Sequence, residues 1–320
     1  MNRTLPAYGW LDGTLVPWDE CVLHARSAGA LWGATVFEGI RSYSSARQQD
    51  CALFRLDDHL SRLHRSARGA GLSVAYSDAE LAGACAQLLR ANGFTGDAHL
   101  TATVYAGLSD SLDPMDPGTP CGVHITAIAT PPSRRDGVDV CVSSWRRINS
   151  DSMPPLIKAG GNYQNSRLAQ SEAQRNGYDT ALLVNNRGTV AEGPGSCFAA
   201  LIDGELVSPP VTAGALDGIT LDSICQLART EFGVPVVRRE VDRGELYGVQ
   251  EAFLSGTMHG VMPIKSVDRV PVGDGKPGPL TEKLATLYEQ AVRDHPAYGH
   301  WRTPLAELAP PVPVSAGEAR

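Results

Sequence analysis

Lys158 opens the run Lys158-Ala-Gly-Gly-Asn-Tyr163, in which small residues expose backbone ahead of an aromatic and a helical pattern. Only a neutral amine attacks a carbonyl, so neighbours and partial desolvation that lower a lysine's pKa turn it into a nucleophile. The setting is that of a Schiff-base lysine. Taken alone, Lys158 also reads as an ordinary solvated lysine at a helix start.

Four further segments carry groups that suit a phosphorylated, nitrogen-containing ring. In Ala191-Glu192-Gly-Pro-Gly195-Ser196 one carboxylate precedes two glycines. A carboxylate facing a pyridine nitrogen keeps it protonated and makes the ring a better electron sink. Leu216-Asp-Gly218-Ile219-Thr220 leads into a helix, where amides and the Thr220 hydroxyl meet an anion at the positive helix end. Gly256 and Thr257 of Ser255-Gly256-Thr257 follow a strand and offer a second set of phosphate donors. Arg62, in His59-Leu-Ser-Arg62-Leu63, can present the bidentate cation that phosphate prefers. Singly, these are a turn carboxylate, a helix cap, a strand-end turn and a solvated helix arginine.

The elements that position these groups follow from periodicity. Leu53–Leu56 reads as a strand, and Leu60, Leu63 and Ala67 give a helix over 57–68. A second helix opens at Ser77, where Ser-Asp-Ala-Glu80 is a capping box, and ends at Gly93. Strands follow at 99–106 and 123–129. Thr130-Pro-Pro-Ser-Arg-Arg-Asp-Gly137 then breaks all periodicity, as a domain connection would. Beyond it, strands at 138–142, 180–184, 198–202 and 252–254 interleave with helices near 165–175, 221–232 and 284–292. The fold class is α+β rather than a regular βαβ repeat. The expected division is a domain over 1–130, an inter-domain loop over 131–137, a larger domain over 138–308 and a flexible tail over 309–320.

Composition narrows the chemistry. The chain has 320 residues, enough for two cores, and 6% aromatics, which points to aliphatic packing. A net charge of −7 with scattered Lys and Arg gives no nucleic-acid surface. No stretch approaches a membrane span and the N-terminus has no signal-peptide core, so a cytoplasmic location is expected. Seven cysteines form no CxxC pair, which fits reduced thiols and neither a disulfide framework nor a zinc site, and no metal is expected. Small-molecule chemistry remains.

The segments Val36-Phe37-Glu38-Gly39-Ile40-Arg41, His59-Leu-Ser-Arg62-Leu63-His64, Lys158-Ala-Gly-Gly-Asn-Tyr163, Glu192-Gly-Pro-Gly195, Leu216-Asp-Gly218-Ile219-Thr220 and Ser255-Gly256-Thr257 stand in the order of a known family. The chain resembles, over nearly its whole length, the fold-type IV pyridoxal-phosphate enzymes, and specifically the branched-chain amino-acid aminotransferases. The resemblance implies a small N-terminal α/β domain and a larger domain with a barrel-like β core. It implies pyridoxal 5'-phosphate as cofactor, a Schiff base on Lys158 and a ping-pong exchange between an amino donor and a keto acceptor. Tyr163 would bond the ring hydroxyl and Glu192 the pyridinium. Arg62, Gly218, Ile219, Thr220, Gly256 and Thr257 would hold the phosphate. A homodimer, or a higher homo-oligomer, is implied too.

On the substrate side the resemblance falls away. The positions it assigns to the substrate are Trp32, Phe37, Arg41, His99, Thr101, Met258 and His259. His99 and Thr101 replace a tyrosine and an arginine of the family, and Trp32 replaces a tyrosine. The cation that reads glutamate's distal carboxylate is gone. Met258 and His259 replace two small residues, and the inter-domain loop offers Arg134 and Arg135 in place of an aromatic. An aminotransferase with altered substrate choice is the leading expectation. A lyase or decarboxylase of the same fold, like the aminodeoxychorismate lyases, is the alternative, and a binding protein without turnover is a third.

Overall fold

The computed structural model describes residues 5–45, 51–111, 113, 115–116, 118–130 and 134–308. In chain order the elements are β1 Tyr8–Leu11, β2 Thr14–Pro17, α1 Ala28–Trp32, β3 Thr35–Ser44, β4 Cys51–Phe54, α2 Leu56–Gly69, α3 Asp78–Ala91, β5 Ala98–Ala106 and β6 Cys121–Ala129. They continue with β7 Val138–Val142, α4 Tyr163–Arg175, β8 Thr180–Val184, β9 Val190–Glu192, β10 Cys197–Ile202, β11 Glu205–Ser208, α5 Ile219–Phe232 and β12 Val236–Arg238. The last are β13 Glu251–Gly256, β14 Gly260–Val267, β15 Val270–Pro271, α6 Pro279–Ala291 and β16 Arg302–Pro304. Among the described residues no helix is long and apolar enough to cross a membrane.

The chain divides into two compact units: Met1–Thr130 with Ile157–Gly161 and Val292–Arg320, and Pro131–Leu156 with Asn162–Ala291. The expected larger domain over 138–308 is therefore not continuous. Ile157–Gly161 groups with the first unit because it lies along β3, where Ala159 bridges Val36. The expected tail over 309–320, and Pro131, Pro132 and Ser133 of the expected loop, lie outside the described residues.

The first unit holds a sheet of order β16-β4-β3-β5-β6-β1-β2. Alternate residues of a strand face opposite sides, and here Val36 and Ile40 of β3, Leu100, Ala102 and Val104 of β5 and Ile125 of β6 join the buried cluster under α2 and α3. Helix α3 begins at the capping box read from sequence: the Ser77 hydroxyl accepts from the Glu80 amide while Glu80 accepts from the Ser77 amide. Leu53–Leu56 is not one strand. Arg55 adopts the left-handed region (φ 47°), ends β4 and becomes the N-cap of α2, so Leu56 begins the helix.

In the second unit the strand path runs β12-β11-β10-β13-β14-β7-β8-β9, and β9 also pairs with β10. That last pairing closes six strands into a barrel-like core, lined by aliphatics such as Val140, Leu182, Val184, Val190, Leu254 and Ile264 with Phe198. Closure removes the unpaired edges that an open sheet presents. Ala169 and Ala173 of α4 pack on Cys141 of β7 and Ala181 and Leu183 of β8.

Candidate active site

In the first unit the Lys158 segment is fixed by backbone contacts. The Phe37 amide donates to the Lys158 carbonyl at 3.0 Å, and the Lys158 amide donates to the Ser66 hydroxyl of α2 at 3.2 Å. The Lys158 amine then lies 4.8 Å from the centre of the Phe37 ring. A strand and a helix thus set the position of the amine, and its own side chain adds only the final reach.

Phe37, Gly39 and Arg41 share one face of β3, and across the ladder they oppose Thr103, Thr101 and His99 of β5. Opposed residues of an antiparallel pair point the same way. His99 leans onto Gly39, where an added Cβ would lie 2.6 Å from its Nε2. Gly39 is therefore the space that the imidazole fills. Arg41 is buried, its guanidinium 4.7 Å from the Tyr43 ring centre and 3.4 Å from Asp97, which Arg293 already grips through two nitrogens at 2.9 and 2.7 Å. Trp32, the last residue of α1, is 59% exposed on this chain.

The opposite face of β3 carries Glu38, which is fully buried. Arg62 of α2 donates through Nε to Oε1 at 2.6 Å and through Nη2 to Oε2 at 2.8 Å, while His59 Nδ1 lies 2.7 Å from Oε2. Burial alone would raise the carboxyl's pKa, but the bonds and charge of Arg62, with His59, hold it down at about 2. An ionised carboxylate only accepts, so His59 carries its proton on Nδ1. Burial pushes the His59 pKa below its usual value, against the pull of Glu38, and the positive charges of Arg62 and Lys158 push the same way.

The second unit brings Glu192, the start of α5 and the turn after β13 together around Cys197 of β10. Cys197 of β10 pairs with both Glu192 and Ser255. Gly218 lies against Cys197, where an added Cβ would come 2.5 Å from its Sγ, and Gly256 lies against Gly195 and Ser196. Glu192, the Gly218-Ile219-Thr220 start of α5 and the Gly256-Thr257 turn are thereby neighbours. With Gly218 as N-cap, no side-chain oxygen of the cap covers the first amides of α5. Met258 and the exposed His259 continue the turn after β13, and the half-buried Tyr163 opens α4.

Two contacts at this end escaped the sequence reading. Arg147 places Nη2 2.6 Å from Glu192 Oε1 and donates through Nε to the Gly214 carbonyl at 3.1 Å. The Leu216 amide donates to Glu192 Oε2 at 2.9 Å. Neither contact has a signal in sequence, because the partners lie 45 and 24 residues from Glu192 with no shared period. Arg134 and Arg135 have partners in their own unit: Arg134 bonds Asp179, Asp136 and the Gly137 carbonyl, and Arg135 bonds Thr286 and the Ala285 carbonyl of α6.

A family model described as amino-transferase class IV matches residues 35–267. The chain is 37% identical to the branched-chain-amino-acid aminotransferase of Escherichia coli (strain K12) over 291 residues, 88% of this chain and 91% of that protein. It is 35% identical to the Pseudomonas aeruginosa enzyme of the same name over 300 residues, 92% and 96% of the two chains. Among solved structures, the branched-chain aminotransferase of the archaeon Thermoproteus uzoniensis with norvaline aligns with a TM-score of 0.88 at 36% identity, covering 94% of this chain and 99% of that one. The pyridoxal-phosphate form of the Thermobaculum terrenum enzyme aligns with a TM-score of 0.87 at 38% identity over the same shares.

Proposed function

The chain belongs to the amino-transferase class IV family, and from that premise we propose a transaminase whose substrate pocket departs from the glutamate-using kind. It is a pyridoxal-phosphate-dependent aminotransferase of fold-type IV. The observation that carries the site assignment is the amine of Lys158, held by β3 and α2 beside Phe37.

The residues present suit the cofactor's three chemical parts. Lys158 offers an amine to its aldehyde. Glu192, held by Arg147 and the Leu216 amide, offers a fixed anion to its ring nitrogen. In this proposal the first amides of α5, Thr220 and the Gly256-Thr257 turn of the second unit, and Arg62 of the first, would each donate to its phosphate. When bound, pyridoxal 5'-phosphate supplies an aldehyde that takes up an amine and a ring that accepts the electrons left by a departing proton.

Lys158 Nζ would bind the aldehyde, leave it when the donor's amine arrives, and then carry the proton away from the donor's Cα. Glu192 would hold a proton at the ring nitrogen, and Tyr163 would orient the ring through its hydroxyl. Phe37 would give the amine an apolar ring face at 4.8 Å on one side. His99, Thr101 and Arg41, on the face that carries Phe37, would meet the substrate's polar end. Arg41 is a buried cation, but it already lies against Asp97 and the Tyr43 ring, and His99 and Thr101 add no fixed charge for a second carboxylate, so the favoured donor is a non-acidic amino acid or amine.

A homodimer is part of the proposal, supported by large apolar side chains exposed on the single chain, among them Leu31 and Trp32. A cytoplasmic setting is supported by seven free cysteines. The deciding experiment adds L-leucine and then aromatic amines to cofactor-loaded protein without an acceptor. Stoichiometric conversion of the cofactor to its amine form with release of the keto product is expected. Continued consumption of donor without acceptor would replace the transaminase with a lyase.

A further inference from the structure

Glu38 has no assigned part in transamination, yet it is among the most heavily bonded carboxylates of the first unit, with Arg62 as its main partner. It lies on the core face of β3, is fully buried, and receives two bonds from Arg62 and one from His59. His59 and Arg62 are three residues apart on α2 and so reach the same strand from adjacent turns. A buried acid that served only packing would be costly, since removing a carboxylate from water is repaid only by close, well-aligned partners. The three bonds supply that repayment, and they also fix the plane of the guanidinium.

We propose that Glu38, oriented by His59, is the positioning residue that holds Arg62 in place to receive the phosphate of the cofactor. The inference rests on the reading of Arg62 as a phosphate ligand. A guanidinium on a long side chain has many rotamers, and ordering them on binding weakens the complex. Glu38 takes the Nε and Nη2 edge, so the plane and depth of the guanidinium are set before the anion arrives. His59 donates its Nδ1 proton to Glu38 and brings no charge of its own while neutral. The trio then carries no net charge, and what it contributes to an anion is direction.

The sign of the effect is open to test because Glu38 is itself an anion. If it mainly repelled the phosphate, its removal would tighten binding. If it positions Arg62, removal loosens binding and does so only for ligands that carry the phosphate.

The test titrates the full chain, freed of cofactor, with pyridoxal 5'-phosphate and separately with pyridoxal, which lacks the phosphate, following the absorbance of the bound aldehyde. Glu38→Gln should weaken pyridoxal phosphate by about tenfold or more, the usual size of a lost charge-assisted contact, while pyridoxal changes less than about twofold. The phosphorus resonance of bound pyridoxal phosphate should shift in the same variant. Equal weakening of both ligands would reduce Glu38 to a structural role and overturn the proposal, as would tighter binding of the phosphate form. Should Glu38→Gln fail to fold, His59→Phe reads the same ratio, with selective loss for the phosphate form expected and no selectivity overturning the idea. Arg62→Gln separates the two readings. If it leaves the ratio unchanged, Arg62 is not a phosphate ligand; if it lowers the ratio and Glu38→Gln does not, only the positioning role fails.

Discussion

Arg147 and Glu192 form a buried ion pair, with Nη2 2.6 Å from Oε1, and Arg147 is in turn tied to the Gly214 carbonyl. The carboxylate's second oxygen takes the Leu216 amide, two residues before Gly218. One arginine thus links the Glu192 carboxylate to the segment that leads into α5. Removing the arginine leaves the carboxylate charged and under-bonded, the arrangement in which a buried ion moves or takes up a proton. Glu192→Gln should retain cofactor and lose turnover on the order of a hundredfold, the equivalent of about 3 kcal/mol. Arg147→Gln should lose roughly tenfold to a hundredfold through the same carboxylate. Single-turnover rates at saturating cofactor decide it, and an Arg147→Gln protein at wild-type speed would detach Arg147 from the chemistry.

Lys158→Ala should yield protein without the yellow absorbance of a cofactor bound through an amine, because no other lysine is paired with the Phe37 ring among the described residues. Borohydride reduction followed by peptide mass spectrometry should place the reduced cofactor on Lys158 in the wild type. Reduced cofactor found on a different lysine would end the assignment.

Gly39→Ala sets a methyl group where the His99 ring now sits. The obstructing atom is the far end of a side chain, so the imidazole turns away at little cost to stability, within about 1 kcal/mol. If His99 faces the substrate, KM for amino-acid donors should rise severalfold while kcat changes less, the pattern of a lost ground-state contact. An unfolding midpoint that falls steeply, with KM unchanged, would make Gly39 a packing residue only.

Where local chemistry decided the structure, the sequence was legible. β7 and β8 have the bounds expected from their short, largely apolar runs rich in valine and leucine, and α3 starts at its capping box. β3 was legible as a motif and not as a strand, because Glu38, Arg41 and Ser42 are buried polar residues that break the alternation a half-buried strand shows. β14 carries Pro263 and Lys265 and hides for the same reason. The groups proposed to hold the cofactor were chosen by type and spacing, whereas Arg147, which bonds one of them, had no such signal. Glu38 and Arg147 find their partners only when β3 meets α2 and when β9 closes the barrel. A signal for Glu38 did exist: an acid inside Val36-Phe-Glu-Gly-Ile40 is a burial that needs a cation, and the helix cation nearest in sequence on a suitable face is Arg62.

Glu38 also sets an acid limit. Its pKa is lowered to about 2 in the folded chain from an ordinary value of 4.5. The unfolded chain therefore binds the proton first, so the stabilisation is complete above about pH 4.5 and is lost as pH falls toward about 2. His59, also lowered, acts in the same direction from about pH 6.5 downward. Thermal unfolding of wild type and Glu38→Gln should differ most near neutral pH, and the gap should narrow steadily as pH drops from about 4.5 toward about 2. A gap that stays constant over that range would show that the Glu38 charge contributes nothing to folding.

The last expectation is that glutamate and 2-oxoglutarate are poor partners for this enzyme. On the β5 strand, Thr101 opposes Gly39 and His99 opposes Arg41. Thr101 can give a distal carboxylate one hydroxyl, and Arg41 already lies against Asp97 and Tyr43. A desolvated carboxylate without a matched counter-charge costs several kcal/mol, and a loss of even about 3 kcal/mol lowers the specificity constant by roughly two orders of magnitude. Arg134 and Arg135 are the cations the sequence offers as compensation, but Arg134 is bonded to Asp179 and the Gly137 carbonyl and Arg135 to α6. Recruiting either one breaks those contacts, so the compensation is partial at best. Steady-state kinetics with 2-oxoglutarate and leucine, isoleucine or valine should give a kcat/KM well below that of dedicated enzymes. A value of about 10⁴ M⁻¹s⁻¹ or more would sink the idea, and an Arg134→Ala or Arg135→Ala variant that then lost it would identify the cation responsible.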